Sequence, residues 1–201
     1  MRITDILRGN IQESVETHCR LMPACLPALE TAAVALVKAY RTGHKALFFG
    51  NGGSAADAQH MAAEFVGRYL SERRSLPALA LSANCSALTA IANDYGYEEV
   101  FARQLEGFAI AGDVAIGIST SGNSPSVIRA VLRAQRLKVF TIGLSGASGG
   151  QLRDIVDVLL AVPSEDTPRI QECHILLGHA LCDAVDQAMA NEGETSADGT
   201  C

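Results

Sequence analysis

Apolar positions recur at helical spacing through the first part of the chain: Ile3, Ile6, Leu7 and Ile11, then Val15 and His18. Pro23 and Pro27 predict a break. The stretch LETAAVALVKAY from Leu29 to Tyr40 is Ala-rich and amphipathic, and ends at Thr42-Gly43, a helix stop. A helical hairpin over residues 1–42 is therefore expected. The rhythm then changes. Short apolar runs bounded by Gly, Ser or Asp occur at 46–49, 77–81, 113–118, 138–144 and 156–162. Helical patterns separate them at about 54–69, 86–93, 98–110, 124–136 and 149–153, and a last long helix spans about 168–191. Continuous apolar strands alternating with helices are the mark of a parallel sheet covered on both faces. The expected fold class is α/β: a three-layer α/β/α sandwich with a mostly parallel five-stranded sheet, flavodoxin-like, over residues 43–190. The polar tail NEGETSADGTC at 191–201 is expected to be disordered.

Composition narrows the class. A chain of 201 residues is one domain with room for a sizeable core. Sixteen Lys+Arg against 22 Asp+Glu give a net charge of −6, which excludes a global electrostatic footprint for nucleic acid or an anionic membrane. The N-terminus has no apolar signal-peptide region, and no apolar run of membrane-spanning length is apparent. Six scattered Cys without a C-x-x-C pair read as reduced thiols. A cytoplasmic protein with neither nucleic-acid nor membrane partners is expected.

Ligands of open α/β sheets bind at the carboxyl ends of the strands. Two strand ends here carry unusual loops. One is Gly50-Asn51-Gly52-Gly53-Ser54, followed at once by an Ala-rich helix whose free N–H groups suit an anion. The other is Ser119-Thr120-Ser121-Gly122-Asn123-Ser124-Pro125, three hydroxyl residues and a turn opening a helix. Neither fits a nucleotide motif. Either loop alone could be an ordinary turn; both in one sheet point to a phosphate cradle of hydroxyls and backbone, suited to a sugar phosphate.

His60 and Glu64 stand at i and i+4 on the helix after the first loop, so they share a face. That spacing serves a solvated surface pair, two metal ligands or a base beside the cradle. Gln171, His174 and His179 lie on the last helix. Eight residues of helix rise about 12 Å, too far for Gln171 and His179 of one straight helix to clamp one ion. A shared ion would need Gln171 at the helix start, or the two residues from different subunits.

Four segments taken together, F-G-N-G-G-S-A-A-D-A-Q-H-M-A-A-E-F at 49–65, A-I-A-N-D-Y-G-Y at 90–97, G-I-S-T-S-G-N-S at 117–124 and T-P-R-I-Q-E-C-H-I-L-L-G-H at 167–179, resemble the phosphoheptose isomerases of the sugar isomerase (SIS) domain superfamily. The resemblance spans roughly residues 5–190. It implies isomerisation of sedoheptulose 7-phosphate to D-glycero-D-manno-heptose 7-phosphate through an enediol(ate), the first step of nucleotide-activated heptose biosynthesis. It implies that Asn51, Gly52, Gly53, Ser54 and Gln171 touch substrate, that Ser119, Thr120, Ser121 and Ser124 hold the phosphate, and that Asn93 and Asp94 meet sugar hydroxyls. His60, Glu64, Gln171 and His179 match a zinc site with one Zn2+ per subunit. Glu64 and His179 match the acid/base pair. A homotetramer with active sites at subunit interfaces is implied as well. The rival is a non-catalytic SIS-domain sensor or DnaA-associating regulator, expected to lack the Glu/His pair present here.

Two departures from the family pattern stand out. The stretch Arg133-Ala134-Gln135-Arg136-Leu137-Lys138 is shorter than the family's link and lacks its Gly, and the polar tail is longer. His18 and His44 read as surface or packing residues, and His174 as a packing or hydrogen-bonding residue. Cys85, Cys173 and Cys182 read as buried small hydrophobes. Arg68-Tyr69 could add charge near a phosphate, and Arg73-Arg74 reads as a solvated face.

Overall fold

A computed structural model describes residues 2–195. Five strands form one sheet: β1 (Ala46–Gly50), β2 (Ala78–Ala80), β3 (Val114–Ile118), β4 (Phe140–Ser145) and β5 (Val158–Ala161). Their order is β2-β1-β3-β4-β5, every pair is parallel, and Gly50 lies in register with Ile118. Alternation along the strands feeds two cores. Ala46, Phe48, Val114, Ile116 and Ile142 point to one side, where α1 (Ile3–Arg41), α2 (Gly53–Val66) and α7 (Thr167–Thr195) pack. Leu47, Phe49 and Ala115 point to the other, under α3 (Cys85–Tyr95), α4 (Val100–Phe108), α5 (Pro125–Arg136) and α6 (Leu152–Ile155). The three-layer parallel α/β/α fold is as expected.

The N-terminal hairpin is not. Residues 3–41 form one continuous helix through both prolines. A helix-interior proline costs about 3 kcal/mol. Here Pro23 and Pro27 both face solvent, while Leu21, Cys25, Ala32, Leu36 and Tyr40 are buried against the sheet and α7. Burial of that whole face outweighs the two lost hydrogen bonds. By length and composition α1 could also cross a membrane, contrary to the sequence expectation, yet its inner face is part of the core.

Smaller differences have local causes. The helix expected at 149–153 is a single turn at Leu152–Ile155, because Gly149 and Gly150 take φ of +76° and +51°. The last helix runs on through Thr195, so residues 191–195 are helical; the remainder of the expected disordered tail lies outside the described residues. Cys173 and Cys182 are buried as expected, whereas Cys85 is exposed at the first position of α3, a helix with no fully buried residue.

Candidate functional site

Strand order turns over between β1 and β3, and in such sheets the crevice at that switch point takes the ligand. Both loops singled out in the sequence leave the sheet there. Gly52 caps α2 with φ +57°, a conformation other residues rarely adopt. No side chain caps this helix start, and Gly52 and Gly53 are open to solvent. Ser54 is buried under the turn. Gly53 faces Gln171 of α7: a Cβ at 53 would come within 2.5 Å of the Gln171 amide nitrogen.

The second loop is built from its own hydroxyls. Ser119 Oγ lies 3.5 Å from Ser121 Oγ and accepts from Ser124 N at 3.4 Å, while Asn123 N donates to Ser121 Oγ at 3.1 Å. Thr120 is half-buried and its carbonyl accepts from Gly146 N. Asn51 ties the two loops: its Nδ2 donates to Ser124 Oγ at 2.8 Å and Ser126 Oγ at 3.0 Å. Its Oδ1 accepts from Tyr97 OH at 2.8 Å. The turn carrying Tyr97 is in turn held to α5 by Arg129, which reaches Glu98 and Glu99. Asn51 therefore aligns three segments around the crevice. Asn93 and Asp94 are exposed at the end of α3 and bonded to each other at 2.8 Å, Asn93 Nδ2 donating to Asp94 Oδ1.

Farther along, α2 and α7 run side by side. Gly178 lets them close up, since a Cβ there would meet Met61 Sδ at 2.9 Å. The closeness brings His179 to His60, with ring centroids 5.1 Å apart and edge-on. His60 Nε2 lies 3.2 Å from Glu64 Oε1, and Tyr69 stacks on His179 with ring centroids 5.6 Å apart. His60, Glu64 and His179 thus form one cluster. Gln171 belongs to the level of Gly53, about 12 Å up the helix from His179. Two imidazoles and a carboxylate are the donor types of a catalytic zinc site with an open position, so the residues fit the metal chemically. Among the described residues no three His, Cys, Asp or Glu side chains converge on one point.

Three residues carry more than the sequence showed. Asp57, one turn before His60, has a buried Oδ2 without a partner, and burial raises its carboxyl above the usual range although His60 pulls it down. The D-A-Q-H spacing put it on the His60 face and could have flagged it. Tyr97 and Ser126, which hold Asn51, had no signal beyond lying in or beside the quoted motifs. Arg74 is exposed, as expected, and donates to Tyr40 O at 3.0 Å. Arg73 is not on a solvated face: its side chain is 1% exposed and lies 2.6 Å from Asp186 of α7. That carboxylate is 113 positions away, out of reach of any local pattern. His18 and His44 make local hydrogen bonds to Ser14 and Thr42, as a packing role requires. His174 is buried with Nε2 3.2 Å from Ser145 O, and burial pushes its imidazole down to about 4 despite that hydrogen bond.

Comparison with known proteins gives the same picture. The SIS domain profile matches residues 12–146. A phosphoheptose isomerase of a Nitratiruptor species is 57% identical over 158 residues, covering 79% of this chain and 84% of the relative. The solved phosphoheptose isomerase GmhA from Neisseria gonorrhoeae superposes with a TM-score of 0.88 at 42% identity, over 92% of this chain and 100% of that one. A phosphoheptose isomerase from Francisella tularensis gives 0.90 at 36% identity, over 93% and 100%.

Proposed function

Because the chain belongs to the phosphoheptose isomerase family of SIS-domain proteins, we propose that it converts sedoheptulose 7-phosphate to D-glycero-D-manno-heptose 7-phosphate, at the head of nucleotide-activated heptose synthesis. One observation carries the reading: the open start of α2, tied by Asn51 to the hydroxyl loop at the β1/β3 switch point, faces α7 along the same seam as the Glu64, His60 and His179 cluster. From Gly53 to His60 is about 10 Å of helix. That separation suits a substrate whose phosphate and carbonyl lie at opposite ends of the chain, as in a ketose 7-phosphate.

The reaction moves one proton from C1 to C2 and another from the C1 oxygen to the C2 oxygen, passing through an enediol(ate). The chain's part begins with binding. Ser119, Thr120, Ser121 and Ser124 hold the phosphate with hydroxyls and backbone, aided by the N–H groups at the start of α2. Asn51 fixes the loops, and Gln171 with Asn93 and Asp94 orients the sugar hydroxyls. Glu64 is the base that takes the C1 proton and returns it at C2, and His179 serves the two oxygens. His60, Glu64 and His179 of one subunit would hold one zinc ion, with Gln171, about 12 Å along α7 from His179, joining them only from a neighbouring subunit. When bound, that ion supplies Lewis-acid polarisation of the carbonyl. A sensor would have no use for the carboxylate–imidazole pair, so the non-catalytic reading is not favoured.

The assembly we propose is a homotetramer with the sites at its subunit interfaces. Its support is the outer face of α1, where Ile3, Leu7, Ile11, Val15, Met22 and Leu26 are exposed. They run into a groove of about 250 Å³ that Leu176 of α7 also lines. An apolar surface of this extent marks an interaction site. The five described cysteines are free, which supports the reducing cytoplasm as the compartment.

Proton NMR of the purified protein with sedoheptulose 7-phosphate tests the activity. An aldoheptose 7-phosphate anomeric signal is expected, and it should vanish with a chelator and return with zinc. No product from folded, zinc-supplied protein would contradict the proposal.

A further inference from the structure

The end of α2, where Glu64 sits, is closed by a side chain. A helix C-terminus leaves carbonyls without partners. Gly67 N takes Ala63 O. Arg73 takes the next ones: Nη2 donates to Glu64 O at 2.9 Å, and Nη1 to Phe65 O at 3.0 Å and Gly67 O at 3.2 Å. The guanidinium charge lies at the negative end of the helix dipole. On its other side Arg73 Nε is 2.6 Å from Asp186 Oδ1, and both side chains are out of solvent. Asp186 Oδ2 accepts from Leu70 N at 2.9 Å and from Ser71 N, and Oδ1 from Tyr69 N at 3.5 Å.

A buried ion pair is a weak way to gain stability, since apolar replacements of similar volume often do as well. What this pair does distinctively is geometric. It joins three carbonyls at the end of α2, three amides of the following loop and the body of α7. Each joined segment carries a site residue. Glu64 offers its carbonyl to Arg73 and its carboxylate to His60. Tyr69 offers its amide to Asp186 and its ring to His179. His179 stands seven residues before Asp186, on the same face of α7.

We propose that the buried Arg73–Asp186 pair is a positioning device for catalysis, holding the end of α2 and the Tyr69 loop on α7 so that Glu64 and His179 keep a fixed relation. The proposal rests on the reading of Glu64 and His179 as the reacting pair. The test uses Arg73→Lys, which leaves a cation for Asp186 but loses the planar fork that serves the three carbonyls at the end of α2 and Arg74 O. The expected outcome is a retained cooperative melt and a kcat lowered at least about tenfold. KM for sedoheptulose 7-phosphate should stay within about threefold, because the 119–124 loop is untouched.

A second readout needs no activity. In metal-free wild type the Tyr69 ring, stacked on His179 at 5.6 Å, is expected to shift the His179 ring-proton NMR signals by its ring current, and Tyr69→Leu marks their position without it. Arg73→Lys should move the His179 signal toward that position. If Arg73→Lys does not fold, the double variant Arg73→Met/Asp186→Leu, which leaves no buried charge, carries both readouts. A folded variant with wild-type kcat or an unmoved His179 signal overturns the proposal. So does failure of both variants to fold, which would make the pair a folding requirement. If the wild type itself does not isomerise, the functional reading fails, and the His179 signal alone decides the positioning role.

Discussion

Lys138 adopts φ +59°, the left-handed region that costs an ordinary side chain about 1 kcal/mol. The reason is the end of α5. Val139 N bonds to Ala134 O and Lys138 N to Gln135 O, a Schellman pattern whose C′ residue is usually Gly. The Gly missing from this link in the sequence is thus a strained Lys at the end of the sheet away from the site. Lys138→Gly should raise the melting temperature by about 2–4 °C, as for a gain near 1 kcal/mol in a chain of this size, with turnover unchanged. His174 makes a pH prediction. Its folded value of about 4 lies below the ordinary 6.5, so the unfolded chain binds a proton that the folded one refuses. The stability this protects is whole above pH 6.5 and lost as pH falls toward 4, by roughly 3 kcal/mol in all. Urea unfolding across that range should show a flatter fall for His174→Gln than for wild type.

The elements that place the site differ in how far sequence reveals them. Strands β1 and β3 and the loops after them were legible, because apolar runs ending in Gly- or Ser-rich turns are local signals. The shared face of His60 and Glu64 followed from helical spacing alone. Three features were not legible, each for a long-range reason. Continuity of α1 through Pro23 and Pro27 depends on which face meets α7 and the sheet. That Gln171 stands beside Gly53 depends on the parallel docking of α2 and α7, whereas its distance from His179 follows from helical spacing alone. The burial of Arg73 depends on a carboxylate far along the chain. The hydroxyl loop carries a prediction of its own. Ser121 is exposed, and its Oγ accepts from Asn123 N and lies 3.5 Å from Ser119 Oγ, so its removal should leave the loop standing. Ser121→Ala should raise KM for the sugar phosphate by about 10-fold with kcat within twofold, the mark of lost uniform binding in steady-state kinetics.

At the scale of the molecule, α1 gives the subunit two faces of different use. Its inner face completes the core, and its outer apolar face is exposed and is the surface the proposed assembly would use. Charged residues on that face should break the assembly without unfolding the subunit, because the positions are exposed. Ile11→Glu with Val15→Glu is expected to elute as a smaller species than wild type in size-exclusion chromatography, with an intact circular dichroism spectrum. Wild-type elution would remove α1 from the proposed interface. In the proposed reaction Glu64 is the carbon base of a ketose phosphate isomerase. This role is tested most directly by following sedoheptulose 7-phosphate by NMR in D2O with wild-type and Glu64→Gln proteins. Aldoheptose 7-phosphate is expected from the wild type and none from the folded variant; product formation by Glu64→Gln at the wild-type rate would exclude Glu64 as the base.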